Sequence, residues 1–164
     1  EIGSENPGAT NVLRHAGKTA AIVTLAGDVG KGFLPVLAAQ VVGVMPTILT
    51  LVGLAAFLGH LYPIYYRFQG GKGVATFLGV NLALDPWAGL TFVAVWVSLA
   101  LVTRYSSLAA LVAATAIPFL AFATQKPTLS VIVLVVMVVY VFWRHRTNIY
   151  CLIEGTEKKI GQKN

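Results

Sequence analysis

The chain has 164 residues, of which 57% are hydrophobic types and only 11% charged, with a net charge of +6; mean hydropathy is +0.77. An ordinary soluble domain carries about 25% charged residues, so a soluble globular fold, a disordered tail and a nucleic-acid-binding module are excluded. A single cysteine, Cys151, leaves no intrachain disulfide and no cysteine metal cluster, and the surplus of Lys and Arg is that of a membrane protein with its basic residues in loops.

A membrane-crossing helix needs about 20 mostly apolar residues. Residues 1–18 are polar, with no secretory leader of basic start and apolar core. Residues 32–66 contain no Asp, Glu, Lys or Arg. That run is too long for one span, and Gly43 and Pro46 supply the turn that divides it. The pattern predicts one span over 19–42 and a second over 46–66. The glycine-rich break Gly70-Gly71-Lys72-Gly73 follows, then a short apolar piece, 74–84, closed by Asp85 and Pro86. This piece rises only about 16 Å, so it is a half-helix or begins in the preceding loop. Residues 87–103, 106–124 and 128–143 are three further spans. The last is valine-rich, but an open strand in lipid leaves backbone groups unpaired, so helix is expected. The fold class is therefore all-α: a polytopic integral membrane helix bundle of about six spans, one domain over residues 1–164, without internal repeats.

Positive charge sets the orientation. If the six pieces pair up, Arg14, Lys18, Arg67, Lys72, Arg104, Arg144, Arg146, Lys158, Lys159 and Lys163 share one side, and only Asp85 and Lys126 occupy the other. The basic side is the cytoplasm, with both ends of the chain on it.

Four polar clusters fall on that same side. In the second, Gly70, Gly71 and Gly73 let backbone N–H groups converge on an anion beside the Lys72 charge. A helix starting near Gly73 would add the positive end of its dipole. Residues 70–76, Thr76 included, thus read as a phosphate cradle. It is not a Walker A loop, since Gly73 rather than Ser or Thr follows the lysine. A flexible loop whose lysine obeys the charge rule explains these residues equally well. In the first cluster, Ser4, Asn6, Thr10 and Asn11 beside Arg14 suit a phosphate or glycerol-like hydroxyls; helix capping by Thr10 or Asn11 is the simpler account. In the third, Arg104 with Ser106 and Ser107 offers another anion contact, or a positive-inside arginine before a helix cap. In the fourth, a stop-transfer flank explains Arg144 and Arg146, but not Asn148 or Glu157. Inside the first span, Asp28 and Lys31 are expected to pair at i, i+3 and face the bundle interior. His60, with Tyr62, Tyr65 and Tyr66, reads first as an interfacial aromatic belt. No metal ligands have usable spacing, so neither metal nor cofactor is expected.

In order and spacing these clusters resemble one family, the bacterial acyl-phosphate:glycerol-3-phosphate acyltransferases (PlsY). Ser4-x-Asn6-x-Gly8-x-x-Asn11-x-x-Arg14 is similar to its first motif, and Asp28-x-x-Lys31-Gly32 to its intramembrane step. Gly59-His60-x-x-Pro63 followed by Gly70-Gly71-Lys72-Gly73-Val74-Ala75-Thr76 is similar to the second motif, and Arg104-x-Ser106-Ser107 to the next. His145-x-x-Asn148-Ile149-x-x-Leu152-x-x-Gly155-Thr156-Glu157 is similar to the last. Each motif alone is weak; together they cover essentially the whole chain. The resemblance implies seven spans for a full family member, one of them ahead of Glu1. It also implies an arginine where Cys151 stands.

The implied reaction moves a long-chain acyl group from acyl phosphate to the 1-hydroxyl of sn-glycerol 3-phosphate. It gives 1-acylglycerol 3-phosphate and phosphate, at the cytoplasmic face of the bacterial inner membrane, in phospholipid synthesis. Both substrates carry phosphate, and one is greasy, so a cationic site at the membrane surface suits them. Acyl phosphate is already activated, leaving positioning and charge stabilisation to the protein. No Ser-His-Asp order stands out, so the donor phosphate is expected to help accept the hydroxyl proton. Lys72 with Gly70, Gly71 and Gly73 is expected to hold one phosphate in a pocket completed by Arg14, Ser4, Asn6 and Thr10. Ser106, Arg104, His145 and Asn148 would bind the glycerol phosphate, with Glu157 orienting a neighbouring Arg or Lys. The rival class is a small transporter of an anionic solute, which would show paired repeats and midplane charge. An acyl-CoA enzyme would show His-x4-Asp, which this chain lacks.

Overall fold

A computed structural model describes residues 8–162. Among them the secondary structure is helical: α1 (Ala9–Val41), α2 (Pro46–Leu61), α3 (Val74–Leu84), α4 (Pro86–Thr103), α5 (Ser106–Ala123), α6 (Thr128–Arg144) and α7 (Arg146–Ile153), with a 3-10 turn at Ile64–Tyr66. A helix stands at each of the six places expected for a span. Four stretches are long and apolar enough to cross a bilayer alone; α6 with α7, bent by 61°, makes a fifth. The short piece is a helix of 11 residues, α3.

Two features of α1 differ from the sequence expectation. It starts at Ala9, about ten residues early, and it breaks at Gly17, whose φ of 84° and ψ of 179° are not helical. The polar first segment is thus a helix of its own set at an angle to the span. At the far end α1 stops in the expected turn, with Gly43 at φ 78° and Pro46 opening α2.

Although short, α3 lies at the centre. Thr76, Phe77, Gly79, Val80, Asn81 and Ala83 are all buried on it. Phe77 packs edge-on against Phe57 of α2 and tilted against Phe92 of α4. Against α1 the fit is backbone to backbone. A Cβ on Gly32 would stand 2.2 Å from the Thr76 carbonyl oxygen, and one on Gly79 2.0 Å from that of Val29. Small residues at such crossings let membrane helices approach without a hydrophobic driving force between them. Two hydrogen bonds lock the register: Thr76 Oγ1 donates to Asp28 O (2.9 Å) and Gln40 Nε2 to Ala83 O (2.8 Å).

The short length of α3 sets the depth of the site. Its C-terminal end reaches Asp85, which pairs with Lys126 of the α5–α6 loop at 2.8 Å. Its N-terminal end lies about 16 Å away, where the loop before it packs against the last turn of α2 and the end of α6. Asp85 also caps α4 by accepting from the N–H of Trp87 and Ala88. The hydrogen bond from Lys126 holds its carboxyl below the ordinary aspartate value.

Candidate active site

The glycine loop is wedged between the ends of α2 and α6. After the left-handed residues Arg67 and Phe68, it turns back onto α2 so closely that side chains are excluded by contact. A Cβ on Gly70 would lie 2.1 Å from the His60 carbonyl oxygen, and one on Gly71 2.4 Å from His60 Nε2. One on Gly73, which also has φ 83°, would lie 2.4 Å from the Phe57 ring. On the other side Arg144, the last residue of α6, donates from Nε to Gly71 O (3.0 Å) and from Nη2 to Gly70 O. Its guanidinium also sits 5.9 Å from the Tyr62 ring centroid. Directly after Gly73, α3 begins at Val74. Its first N–H groups and positive dipole end thus open beside Lys72.

Lys72 heads a chain of hydrogen bonds that crosses the site end of the bundle. Its Nζ donates to Asn148 Oδ1 of α7 (2.5 Å). Asn148 Nδ2 donates to Glu157 Oε1 of the C-terminal segment (2.9 Å), and Ser107 Oγ of α5 donates to the same oxygen (2.5 Å). Glu157, expected to steady a neighbouring cation, thus reaches Lys72 through Asn148. His145, at the α6–α7 bend, is buried, with Nδ1 2.8 Å from Val141 O. A carbonyl only accepts, so Nδ1 carries the proton and the neutral ring keeps its lone pair on Nε2.

Thr10 Oγ1 lies 3.3 Å from Ser106 Oγ, tying the first segment to α5. Thr10 and Asn11 fall inside the first turn of α1 and do not cap it; Gly8 holds the N-cap position. Likewise Ser106 opens α5 without a capping bond. Arg14 lies on the short first segment of α1. Ser4 and Asn6 lie outside the described residues. Thr76 is fully buried and turns its hydroxyl to α1, away from the Lys72 chain. Arg104, at φ 63°, grips the C-terminal segment: Ile160 N–H donates to its carbonyl (2.7 Å), and its Nη2 donates to Ile160 O (2.9 Å). An open recess of about 620 Å³ lies among Arg104, Tyr105, Glu157, Lys158 and Lys159.

Three sequence expectations change with this geometry. The proposed division into a Lys72 set and an Asn148 set does not follow the hydrogen bonds. Lys72 bonds Asn148 and Thr10 bonds Ser106, so each set is linked to the other. Lys31 does meet Asp28 at 2.9 Å, but its side chain is 61% exposed, and only Asp28 faces the interior. His60 is not part of an exposed belt: its ring is buried, with Nδ1 3.6 Å from Asp28 and Nε2 against Gly71. Ser107, grouped with Arg104 and Ser106 as an anion contact, instead meets Glu157, and Arg144 was not singled out for the site. Ser107 is the buried member of a serine pair whose helical phase the sequence does not reveal. Arg144 looks like any positive-inside arginine until its loop partners are seen.

The family model described as glycerol-3-phosphate acyltransferase matches residues 1–155. A glycerol-3-phosphate acyltransferase from Thioalkalivibrio sulfidiphilus is 50% identical over 161 residues, covering 98% of this chain and 79% of its own. One from Halorhodospira halophila is 51% identical over 159 residues, 97% of this chain and 81% of its own. The crystal structure of PlsY, an integral membrane glycerol 3-phosphate acyltransferase, in its glycerol 3-phosphate form superposes with a TM-score of 0.93 at 39% identity. It covers 98% of this chain and 80% of that one. The lysophosphatidic acid form gives 0.91 at 39%, over 96% and 81%. A helical bundle with spans at these places, a clamped glycine loop and relatives that agree over nearly its whole length place this chain in the glycerol-3-phosphate acyltransferase family of integral membrane enzymes.

Proposed function

We propose that the chain transfers a fatty acyl group from acyl phosphate to the 1-hydroxyl of sn-glycerol 3-phosphate, in the bacterial inner membrane with its site toward the cytoplasm. The observation that carries the site assignment is the Lys72–Asn148–Glu157–Ser107 chain, drawn from four separate parts of the sequence to one end of the bundle. The orientation is supported by charge. Lys18, Arg67, Arg104, Arg144, Arg146, Lys158 and Lys159 lie at the helix ends on the site side, while Lys126, at the other end, is neutralised by Asp85.

Lys72, the peptide groups of Gly70, Gly71 and Gly73, and the start of α3 hold phosphate oxygens. Thr10 of the N-terminal segment meets Ser106, and Ser4, Asn6, Asn11 and Arg14 are assigned to the same pocket as Ser106, Arg104, His145 and Asn148, so that one pocket holds both substrates. Lys72 is half-buried at the ends of apolar helices, which fits a donor whose acyl chain lies among them. The 1-hydroxyl oxygen attacks the acyl carbonyl carbon, the bond from that carbon to the bridging phosphate oxygen breaks, and the hydroxyl proton passes to the departing phosphate. Positioning of two anions and stabilisation of the developing charge supply the acceleration.

The test is phosphate release by purified protein in detergent. Phosphate and lysophosphatidate should appear one for one, and only when acyl phosphate and glycerol 3-phosphate are both present. Acyl transfer from acyl-CoA but not from acyl phosphate would overturn the donor assignment.

A further inference from the structure

Arg144 has a use that neither substrate binding nor membrane orientation requires. Its planar guanidinium donates to two consecutive carbonyls, Gly70 O and Gly71 O, from the end of a different helix. In a trans peptide the C=O and the following N–H point in opposite directions. Turning both carbonyls toward Arg144 therefore turns the N–H groups of Gly71 and Lys72 away from it. The contact also fixes where the Lys72 side chain leaves the backbone. The opposite wall of the loop is equally closed, since Gly70 and Gly71 lie against the His60 carbonyl and ring with no room for a Cβ. Tyr62 covers the face of the guanidinium at 5.9 Å, holding the fork in place. Only arginine presents two rigid parallel donors; a lysine ammonium can reach one carbonyl but is not shaped to hold two.

We propose that Arg144 is a positioning residue for the reaction: it locks the orientation of the glycine loop, and through it the Lys72 ammonium and neighbouring peptide N–H groups, for binding phosphate. The inference rests on the glycine loop being part of the site, and its failure can be told apart from failure of that reading.

The experiment measures kcat, the KM of each substrate and thermal stability in detergent for Arg144→Gln, Arg144→Lys and Lys72→Ala. Loss of both charge-assisted bonds should raise the KM of one phosphate substrate about tenfold or more. The KM of the other substrate and the melting temperature should stay close to wild type. Arg144→Lys should fall between wild type and Arg144→Gln in the same KM. Gly71→Ala, which pushes the same loop from the His60 side, should raise that KM too. Combined with Arg144→Gln it should cost less than the product of the two separate effects. Wild-type KM values in Arg144→Gln overturn the proposal, as does an equal rise in both KM values with a lowered melting temperature. Should Arg144→Gln fail to fold, Arg144→Lys decides alone: a raised KM for one substrate supports the proposal, and wild-type values overturn it. Full activity in Lys72→Ala would instead remove the loop from the site.

Discussion

At the end where α1 turns into α2, polar groups are settled in pairs. Asp85 caps α4 and holds Lys126 at 2.8 Å, and Thr50 donates to Ser130 at 3.0 Å. At the opposite end Lys72, Asn148, Glu157 and Ser107 run as a chain, and Arg144 reaches back into a loop of another element. The paired end needs only to close the bundle, so each charge is matched by its nearest neighbour. The chained end brings a lysine, an arginine and a helix N-terminus to one place, with the Glu157 carboxylate reached through Asn148, an electrostatic setting that favours an incoming phosphate. The contrast is the structural ground for proposing that the chained end does the chemistry, and it stands apart from the sequence motifs.

The sharpest way to break that contrast is at Lys72. Lys72→Ala should lower kcat/KM for phosphate release about a hundredfold or more, with the melting temperature in detergent nearly unchanged. Near-normal turnover would mean that the chained end is as structural as the paired one.

Next in size is the α1–α3 crossing, which joins the two ends. In Gly32→Val the new side chain meets the Thr76 carbonyl, a backbone atom that cannot swing aside. Such overpacking costs about 1–3 kcal/mol or more, so the protein should melt at lower temperature and lose activity only in proportion to the folded fraction. Gly27→Ala, on the same helix with nothing within 4 Å, is the control and should melt as wild type does. A Gly32→Val protein of unchanged stability would show that the backbone contact is looser than drawn.

Ser107→Ala tests the chain further from its cationic end. It removes one of the two hydrogen bonds that Glu157 accepts, a change worth about 1.5–3 kcal/mol for a bond to a charged group. Activity should fall about ten- to a hundredfold with little loss of folded protein. Loss of folding instead of activity would make Glu157 a strut of the C-terminal segment.

How much of this was legible in the sequence follows the same division. The helix at each span position, the turn at Gly43 and Pro46, the start of α3 after Gly73 and the pairing of Asp28 with Lys31 were readable, because apolar runs, glycines and i, i+3 spacing are local signals. Asp85 and Lys126 were readable as the only charges on their side. What could not be read needed contact between distant elements. Arg144 carries the same charge whether it faces headgroups or the Gly70 and Gly71 carbonyls. Ser106 and Ser107 differ only by a turn of about 100° on α5, which decides that one meets Thr10 and the other Glu157. The Asp28–His60 contact joins α1 to α2 across the loop between them, and nothing in either helix alone announces it. The early start of α1 was hidden because its first turns are polar, and a span search stops where hydropathy does.

The smallest effect belongs to the paired end, and its smallness is the point. Asp85 is held below its ordinary pKa chiefly by the Lys126 hydrogen bond. A carboxyl with a depressed folded pKa contributes its stability above the unfolded value, about 3.9, and loses it as pH falls through the folded value. Both side chains of the pair are partly exposed, so after screening the contribution is no more than about 1 kcal/mol. Asp85→Asn should therefore lower the melting temperature slightly at pH 7. As the pH falls below the unfolded value of about 3.9 and through the lower folded value, the variant and wild type should draw together, because the wild-type carboxyl takes up its proton over that range. The cap of α4 partly survives, since an asparagine oxygen still accepts from the Trp87 and Ala88 N–H groups. Turnover at pH 7 should match wild type once scaled to folded protein. A loss of turnover exceeding the loss of folded protein would show that the Asp85 corner, through the short α3, helps set the depth at which Lys72 stands.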